Sequence, residues 1–262
     1  MKRKHSALLK ATFVTTLFAS LSTSVIAKNP LLNANNDDGI HFMVGAGVLS
    51  ENSPYKKKAK FKPQFTGTMS WNNFFIDTSS VGYDFSDMIG NDDFELSTHI
   101  SYQAGMEFPK NDKFEGLKRK SYVDFGLEAG YQIGDILTLG MRVSKDISHR
   151  HKGWGTTLGV SQFVTIGSMI LQGQVGAEYE NDKLSQYRYG VADSEATVHR
   201  KAYNAKGSWS SVAQVSAIYP INDHSMIVSS LDYKKLSDKI KKSPLVEADH
   251  IYQVGVSYLY SF

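Results

Sequence analysis

Apolar and polar side chains alternate along residues 250–262, which read HIYQVGVSYLYSF. Because side chains alternate between the faces of a strand, this pattern predicts a strand with one apolar face, Leu259 being the one exception. An exposed aromatic strand at the end of a soluble protein promotes aggregation, whereas the last strand of an outer-membrane barrel turns such a face to lipid. We therefore predict a transmembrane strand that closes a barrel, the alternative being a half-buried strand of a soluble β-sandwich. Its terminal aromatic residues are Tyr258, Tyr260 and Phe262.

The clearest internal strand, Phe94–Met106, indicates which face of the wall is the lumen. Glu95 and His99 fall on one face of it, opposite a row of mostly apolar side chains. A charged side chain that faces lipid at mid-depth costs about 2–4 kcal/mol, so the face with Glu95 and His99 is predicted to be the lumen. The same alternation in the next two strands predicts three further lumen residues, Asp124, Glu128 and Arg142.

Eleven segments of this kind can be recognised, most of them close to the length that crosses a membrane at a tilt. They cover residues 42–49, 61–69, 74–85, 94–106, 123–133, 137–143, 156–165, 169–179, 209–219, 226–236 and 250–262. Short turns alternate with longer polar loops at 109–120, 145–153, 181–207 and 237–248, as in barrels with short periplasmic turns and long outer loops. A barrel with both chain ends in the periplasm needs an even number of strands. The alternation of short turns and long loops fails only in the N-terminal third of the chain. We expect an all-β, transmembrane antiparallel barrel over residues 39–262 with twelve strands, one of them hidden before residue 93, and ten as the alternative.

The N-terminus is typical of an exported protein. Four basic residues precede or flank an apolar run at 11–21, and Val25-Ile26-Ala27 follows, which predicts a cleaved signal peptide over 1–27. Residues 28–38 are polar and rich in asparagine and are interpreted as a periplasmic lead-in. The signal segment holds four of the 29 basic residues and none of the 26 acidic ones, so the remainder carries 25 basic against 26 acidic residues. The formal charge of +3 therefore gives no reason to expect a nucleic-acid partner. Cysteine is absent from the chain, which excludes a disulfide framework.

Two groups of residues are candidates for chemistry. His99 with Glu95, Glu128 and a serine at 97 or 101 resembles a lipid deacylase site, but paired charges normally fill the interior of a small barrel. A structural lumen network of Glu95, His99, Asp124, Glu128 and Arg142 is therefore the preferred interpretation, with Arg142 opposite Glu128. His149 and His151 form a weak metal motif on an outer loop. No catalytic residue, metal or cofactor is predicted.

Basic runs recur near the strand ends, at 56–58, 118–120, 234–235 and 239–242. On the outer rim such side chains can meet the phosphates of lipopolysaccharide. Outer-membrane lipid and lipopolysaccharide are therefore expected partners.

Several short motifs, in order along most of the chain, resemble one known family. They are Ser53-Pro54-Tyr55 with Pro63, Val81-Gly82-Tyr83-Asp84, Glu115-Gly116-Leu117, Tyr187-Arg188-Tyr189-Gly190-Val191, Ser243-Pro244-Leu245-Val246, and the terminal Tyr-x-Phe. Together they resemble the MltA-interacting protein (MipA)/OmpV family of outer-membrane proteins. The chain departs from the family pattern in a short, lysine-rich middle loop, in an uneven strand at 74–85 and at Phe114, where leucine is usual.

The resemblance implies a role that is not enzymatic, since the family offers no catalytic residue to carry over. Founding members are described as scaffolds that link a lytic transglycosylase to a bifunctional murein synthase, and relatives as adhesins or minor porins. We therefore expect an outer-membrane scaffold in peptidoglycan assembly, with a periplasmic murein hydrolase and synthase as partners. A surface adhesin and a narrow porin are the alternatives.

Overall fold

Residues 39–134 and 137–262 are described by a computed structural model of the protein. The predicted signal peptide at 1–27 and lead-in at 28–38 lie outside these residues. Twelve antiparallel strands close into one barrel. They are β1 Ile40–Ser53, β2 Lys56–Trp71, β3 Phe74–Asp77, β4 Ser80–Asp84, β5 Phe94–Gln103, β6 Tyr122–Ile133, β7 Leu137–Asp146, β8 Trp154–Ile166, β9 Met169–Glu180, β10 Ser208–Asn222, β11 Ser225–Lys235 and β12 His250–Ser261. The expected twelve-stranded barrel is confirmed.

Short helices occur only in the connections of the described chain. They are α1 Ser86–Ile89, α2 Asp182–Tyr189 and α3 Asp238–Lys241, with a 3-10 helix at Asp193–Glu195. Within the same residues, no helix is long and apolar enough to cross a membrane.

The predicted single strand at 74–85 is wrong, because it is the hairpin of β3 and β4. The turn between them has neither glycine nor proline. Instead, the Asp77 carboxylate accepts hydrogen bonds from the backbone N–H groups of Ser79 at 2.7 Å and Ser80 at 2.9 Å. An aspartate that binds the backbone two residues ahead makes a turn without interrupting the alternation of apolar residues. This hairpin accounts for the strand that was expected before residue 93.

The predicted strand 94–106 is too long by three residues. β5 ends at Gln103, and the backbone N–H of Met106 instead donates to the carbonyl of Arg119 at 3.0 Å within the following loop. That loop therefore begins at residue 104 and brings its apolar residues back over the barrel.

The barrel closes where β12 pairs with β1, in a register that places Val256 opposite Val48. The backbone N–H of Phe262 donates to the Phe42 carbonyl at 3.0 Å, and the two rings stack at 5.6 Å. At the other end of this seam, Asn52 donates to the His250 carbonyl at 2.9 Å. The seam is thus held along its whole length, and the aromatic side chains of β12 point outward.

The two ends of the barrel differ in the length of their connections. At the end that contains Phe262, the connections that are fully described are 72–73, 85–93, 167–168 and 223–224. At the opposite end they are 54–55, 104–121, 147–153, 181–207 and 236–249. The β3–β4 turn at 78–79 lies within the wall, because Asp77 pairs with Thr68 of β2. Because barrels keep short turns in the periplasm and long loops outside, the end with Phe262 is the periplasmic end.

An apolar cluster fills the lumen at the periplasmic end. Its buried members are Met43, Ile170, Ile218, Met226, Val228 and Leu259. Leu259, the exception in the alternation of the last strand, is therefore an inward-facing residue of this cluster.

Candidate functional site

The middle of the lumen contains a buried ion pair between neighbouring strands. Glu128 on β6 and Arg142 on β7 lie opposite each other in register, and the Arg142 guanidinium contacts the Glu128 carboxylate. His99 Nδ1 lies 3.6 Å from the same carboxylate. All three side chains are buried. The structure therefore brings together three of the five predicted lumen residues.

The other two predicted residues face the lumen at different levels. Glu95 lies opposite Gly130, below His99 on the same face of β5. Asp124 is near the outer rim, where its Oδ1 atom lies 3.6 Å from His151 Nε2 rather than beside Glu128. Asp124 thus belongs to a separate group that includes Asp146 and His151, whose ligand atoms lie within 4.8 Å of one another.

The hydrogen bonds around His151 make it a poor metal ligand. Its Nδ1 atom accepts a hydrogen bond from the backbone N–H of Gly153 at 3.0 Å, so in the neutral ring the proton lies on Nε2, facing Asp124. Both oxygens of Asp146 accept hydrogen bonds, one of them from the N–H groups of His151 and Lys152 at 2.7 Å each. A metal ligand needs a free lone pair, and neither side chain offers one easily. We assign the group to holding loop 147–153 against the wall.

His99 is not arranged as a catalytic base. Its ring lies against Gly126, where a Cβ atom would come within 2.2 Å of the ring. Among the described residues, no serine hydroxyl is hydrogen-bonded to His99, although Ser97 and Ser101 flank it on β5. A nucleophile and its base need to be within hydrogen-bond reach, so the geometry does not support the deacylase alternative.

A second buried charge cluster lies near the outer end of the lumen. Lys234 Nζ is 2.8 Å from Glu178 and 3.3 Å from Glu180, and Arg188 Nη1 is 2.7 Å from Glu180. The second guanidinium nitrogen of Arg188 donates to the Tyr122 hydroxyl at 2.8 Å. Two cations thus balance two carboxylates, which satisfies charges that are costly to bury alone.

This cluster does not follow from strand alternation, for two reasons. Lys234 was expected on the outer rim, which is wrong: it lies on the inner face of β11 and is buried. Arg188 lies on α2, within a loop, so no strand alternation could place it. The signal that was available is the pair Glu178 and Glu180 on one face of β9, two carboxylates that require inward-facing cations.

The long outer loops fold together into a lid with its own apolar core. The buried residues of this lid core are Tyr55, Phe114, Leu117, Tyr189, Val191, Ala205, Leu236, Ile240, Leu245 and Ile251. Polar contacts join the same loops: Arg119 forms two hydrogen bonds with Glu195, at 2.6 and 3.0 Å, and Ser243 donates to the Tyr189 carbonyl at 2.6 Å. The prediction that these loops are polar is wrong for their interior, which is apolar and packed.

Acidification is expected to loosen the part of the lid formed by loop 181–207. Burial raises the pKa of Glu195, but hydrogen bonds from Arg119 and from the Ala192 N–H outweigh it and leave the pKa below its usual value. The Gly207 N–H holds the pKa of Asp182 low as well. A carboxyl with a lowered pKa stabilises the folded loop above the ordinary carboxyl pKa of about 4 and loses that contribution as the pH falls further.

The measurement is amide exchange of loop 181–207, corrected for the intrinsic effect of pH. Protection should be constant from neutral pH to about 5 and fall below about 4. Glu195→Gln should loosen the loop at neutral pH and flatten the profile, while Asp193→Asn, at an exposed carboxylate of the same loop, should match the wild type. Equal behaviour of the two variants would show that the Arg119 contact does not hold the loop.

Among the described connections at the periplasmic end, the longest is 85–93, called here the periplasmic knob. Met88 and Ile89 of α1 are exposed, Met88 at 67%, beside exposed aspartates at 87, 92 and 93. The knob is anchored, because the Phe85 N–H donates to the Leu96 carbonyl at 2.7 Å and the Asn73 side chain donates to the Asp84 carbonyl at 2.8 Å. It therefore presents apolar side chains on a fixed support.

A family model identifies the proteins to which this chain is related. The model described as MltA-interacting protein MipA matches residues 44–262. The chain belongs to the MipA family. Outer membrane protein OmpV of Vibrio cholerae serotype O1 is 32% identical over 193 residues, which cover 72% of this chain and 74% of that protein. Outer membrane protein Omp26La of Vibrio anguillarum is 31% identical over 71% of this chain and 72% of its own length.

A more distant MipA-family relative has a name that refers to a partner. The MltA-interacting protein of Escherichia coli strain K12 is 24% identical over 238 residues, 84% of this chain and 90% of that protein. Among solved structures, the NanC porin shares 9% identity and a TM-score of 0.48 over 83% of this chain and 98% of that chain. The predicted family and the predicted location in the cell outer membrane are confirmed.

Proposed function

We propose that this member of the MipA family is a scaffold in cell-envelope assembly, without enzymatic activity, and that it binds peptidoglycan enzymes at its periplasmic face. The observation that carries the proposal is the periplasmic knob, an anchored connection with an exposed Met88. Exposed apolar side chains with a charged rim are the usual composition of a protein contact. The name of the Escherichia coli relative, MltA-interacting protein, supports a murein hydrolase as one partner.

The packed interior also favours an interaction role over transport. An apolar cluster fills the periplasmic end of the lumen, buried ion pairs occupy the middle, and the lid core covers the outer end. A narrow porin needs a continuous aqueous path, so that alternative has less support. A surface adhesin would act through the exposed part of loop 181–207, where Val198 is 94% exposed.

The test is a pull-down with the purified barrel as bait and a murein lytic transglycosylase and a bifunctional murein synthase as prey. Met88→Asp places an unpaired charge in the proposed contact and should weaken retention at least about tenfold. Val198→Asp makes the same change at an exposed apolar residue of the outer face and should have no effect. If the barrel retains no more of either enzyme than an unrelated outer-membrane barrel does, the proposal is wrong. If both variants retain the enzymes equally well, the periplasmic knob is not the contact.

A further inference from the structure

The wall of the barrel is incomplete between β2 and β5 toward the outer end. β2 pairs with β3 only from Thr68 to Trp71, and β4 pairs with β5 only up to Ser101. Residues 56–66 of β2 therefore pair with β1 on one side, and no described strand pairs with their other edge. We call this opening the lateral window. The tip of the β3–β4 hairpin bounds it below, where the Tyr102 N–H donates to the Ser79 carbonyl at 2.7 Å.

The window is framed on its other sides by the loop after β5. Tyr55, in the β1–β2 turn, packs against Phe108 with ring centroids 4.7 Å apart, and its hydroxyl donates to the Arg188 carbonyl at 2.8 Å. This contact closes the top of the window. Behind it lies a cavity of about 700 Å³, lined by β2 on one side and by residues 103–110 on the other. That volume lies within the range of small-molecule binding sites.

The two faces of β2 at the window differ in chemistry. Lysines at 56, 58, 60 and 62 line the cavity. The outward face carries Phe61 and Phe65, which are 84% and 71% exposed. Lysine side chains thus line the cavity on one face of β2, and apolar rings lie on the opposite face.

The cavity carries an excess of positive charge. Lys62 pairs with Glu51 at 2.7 Å, and Lys234 and Arg188 are balanced by the buried carboxylates described above. Within the described chain, no carboxylate lies within ion-pair distance of Lys56, Lys58 or Lys60, and Glu107 is the remaining acidic residue of the lining. Lys110 adds a further cation. An anionic group with several oxygen acceptors is the complement of such a lining.

The depth of these lysines matches the outer headgroup layer. Trp71 and Phe74, whose rings stack at 6.4 Å, mark the periplasmic end of the apolar band. Phe61 is ten residues above Trp71 on a tilted strand, which corresponds to about 25 Å, the height of the apolar band of a barrel. Lys56, Lys58 and Lys60 therefore lie where lipid phosphates lie, and the window opens below them into the outer leaflet.

The same residues disfavour a protein strand as the occupant. Lysines and a proline on an exposed edge are features that block pairing with another strand, and Pro63 lies in the middle of this edge. Unpaired backbone groups at membrane depth are tolerated where they line a polar cavity. A lipid headgroup can enter such a cavity sideways while its chains remain in the bilayer against Phe61 and Phe65.

We infer that the lateral window and the cavity behind it form a binding site for one anionic, phosphate-bearing lipid of the outer leaflet. The headgroup contacts the lysines of β2 inside the wall, and the acyl chains lie along the outward phenylalanines. This site is separate from the periplasmic knob, so it stands or falls independently of the proposed scaffold function.

The test is native mass spectrometry of the full barrel released from nanodiscs of mixed phosphatidylcholine and phosphatidylglycerol. The wild type should retain one phosphatidylglycerol. Lys58→Gln with Lys60→Gln should reduce the retained fraction about tenfold, whereas Lys58→Arg with Lys60→Arg should retain it. The matched control is Lys201→Gln with Lys235→Gln, which removes the same charge from exposed residues outside the cavity and should behave like the wild type.

Every variant must first show the heat-dependent gel mobility of a folded barrel. Should the glutamine variant not fold, a photoactivatable phosphatidylglycerol with the wild type answers the same question, and its crosslinks should map to residues 56–66 and 103–110. Three results would overturn the inference. They are retention of phosphatidylcholine as strong as that of phosphatidylglycerol, an equal loss of phosphatidylglycerol in both double glutamine variants, and crosslinks spread around the barrel. If inorganic phosphate displaces the lipid, the cavity binds free anions and the lipid inference is wrong. If the measured mass is that of a dimer, the unpaired edge of β2 binds a second copy of the chain and the inference is again wrong.

Discussion

Arg142→Met is expected to destabilise the folded barrel by about 3–5 kcal/mol, the range for removing one partner of a buried ion pair. The substitution removes the guanidinium from the buried Glu128 carboxylate, whose distance from His99 Nδ1 is 3.6 Å. Methionine fills much of the space of the arginine side chain, so the loss of stability comes mainly from the lost ion pair. The measurement is the urea midpoint of unfolding, followed by the gel mobility of the folded form.

Two further variants separate this charge effect from a general effect of the substitution. Lys145→Met changes an exposed residue of the same strand and should alter the free energy of unfolding by less than about 0.5 kcal/mol. Glu128→Gln combined with Arg142→Met removes both charges and should recover much of the stability, because a buried pair can often be replaced by neutral residues. Identical midpoints for Arg142→Met and Lys145→Met would contradict a buried ion pair.

Leu245→Ala is expected to destabilise the lid by about 2–5 kcal/mol while the barrel remains folded. Leu245 is fully buried in the lid core, 0% exposed, beside Leu236 and Ile240. Truncation removes its apolar contacts and leaves a cavity among residues that belong to three loops, the β1–β2 turn and the start of β12. The strand ladder does not depend on these contacts, so the effect should be confined to the outer loops.

Amide exchange measures this separation directly. Loops 104–121, 181–207 and 236–249 should lose protection together in Leu245→Ala, since they share one core, and the strands should keep theirs. Val198→Ala, at an exposed residue of the same surface, serves as the control and should change nothing. Loss of protection in only the loop that carries Leu245 would mean that the three loops do not form one unit.

The alternation of apolar and polar residues predicted most of the wall because lipid permits few exceptions on the outward face. It located β5, β6 and β7 and thereby placed Glu128 opposite Arg142. It failed at β3 and β4, where the Asp77 carboxylate makes a turn that leaves the alternation uninterrupted. Strands of four and five residues are also too short to show a period of their own.

The lid, the window and the outer charge cluster could not be predicted in the same way. The apolar residues of the lid, such as Phe114, Leu117 and Leu245, are scattered through polar loops without a period. Arg188 reaches Glu180 because α2 folds back toward the lumen, a tertiary placement that spacing does not encode. Pro63 and the lysines of β2 were the local signs of an unpaired edge, since proline and lysine in a strand are typical of edges.

The seam between β1 and β12 also determines how this chain folds. Asn52 exchanges hydrogen bonds with His250 and Tyr252, residues 198 and 200 positions away, and the lid core joins Tyr55 to Ile251 over a similar distance. Contacts of such long sequence separation form slowly, because the entropy of closing a large loop must be overcome before they contribute. We therefore expect the hairpins to form first and the meeting of the first and last strands to limit the rate at which the ring and its lid are completed.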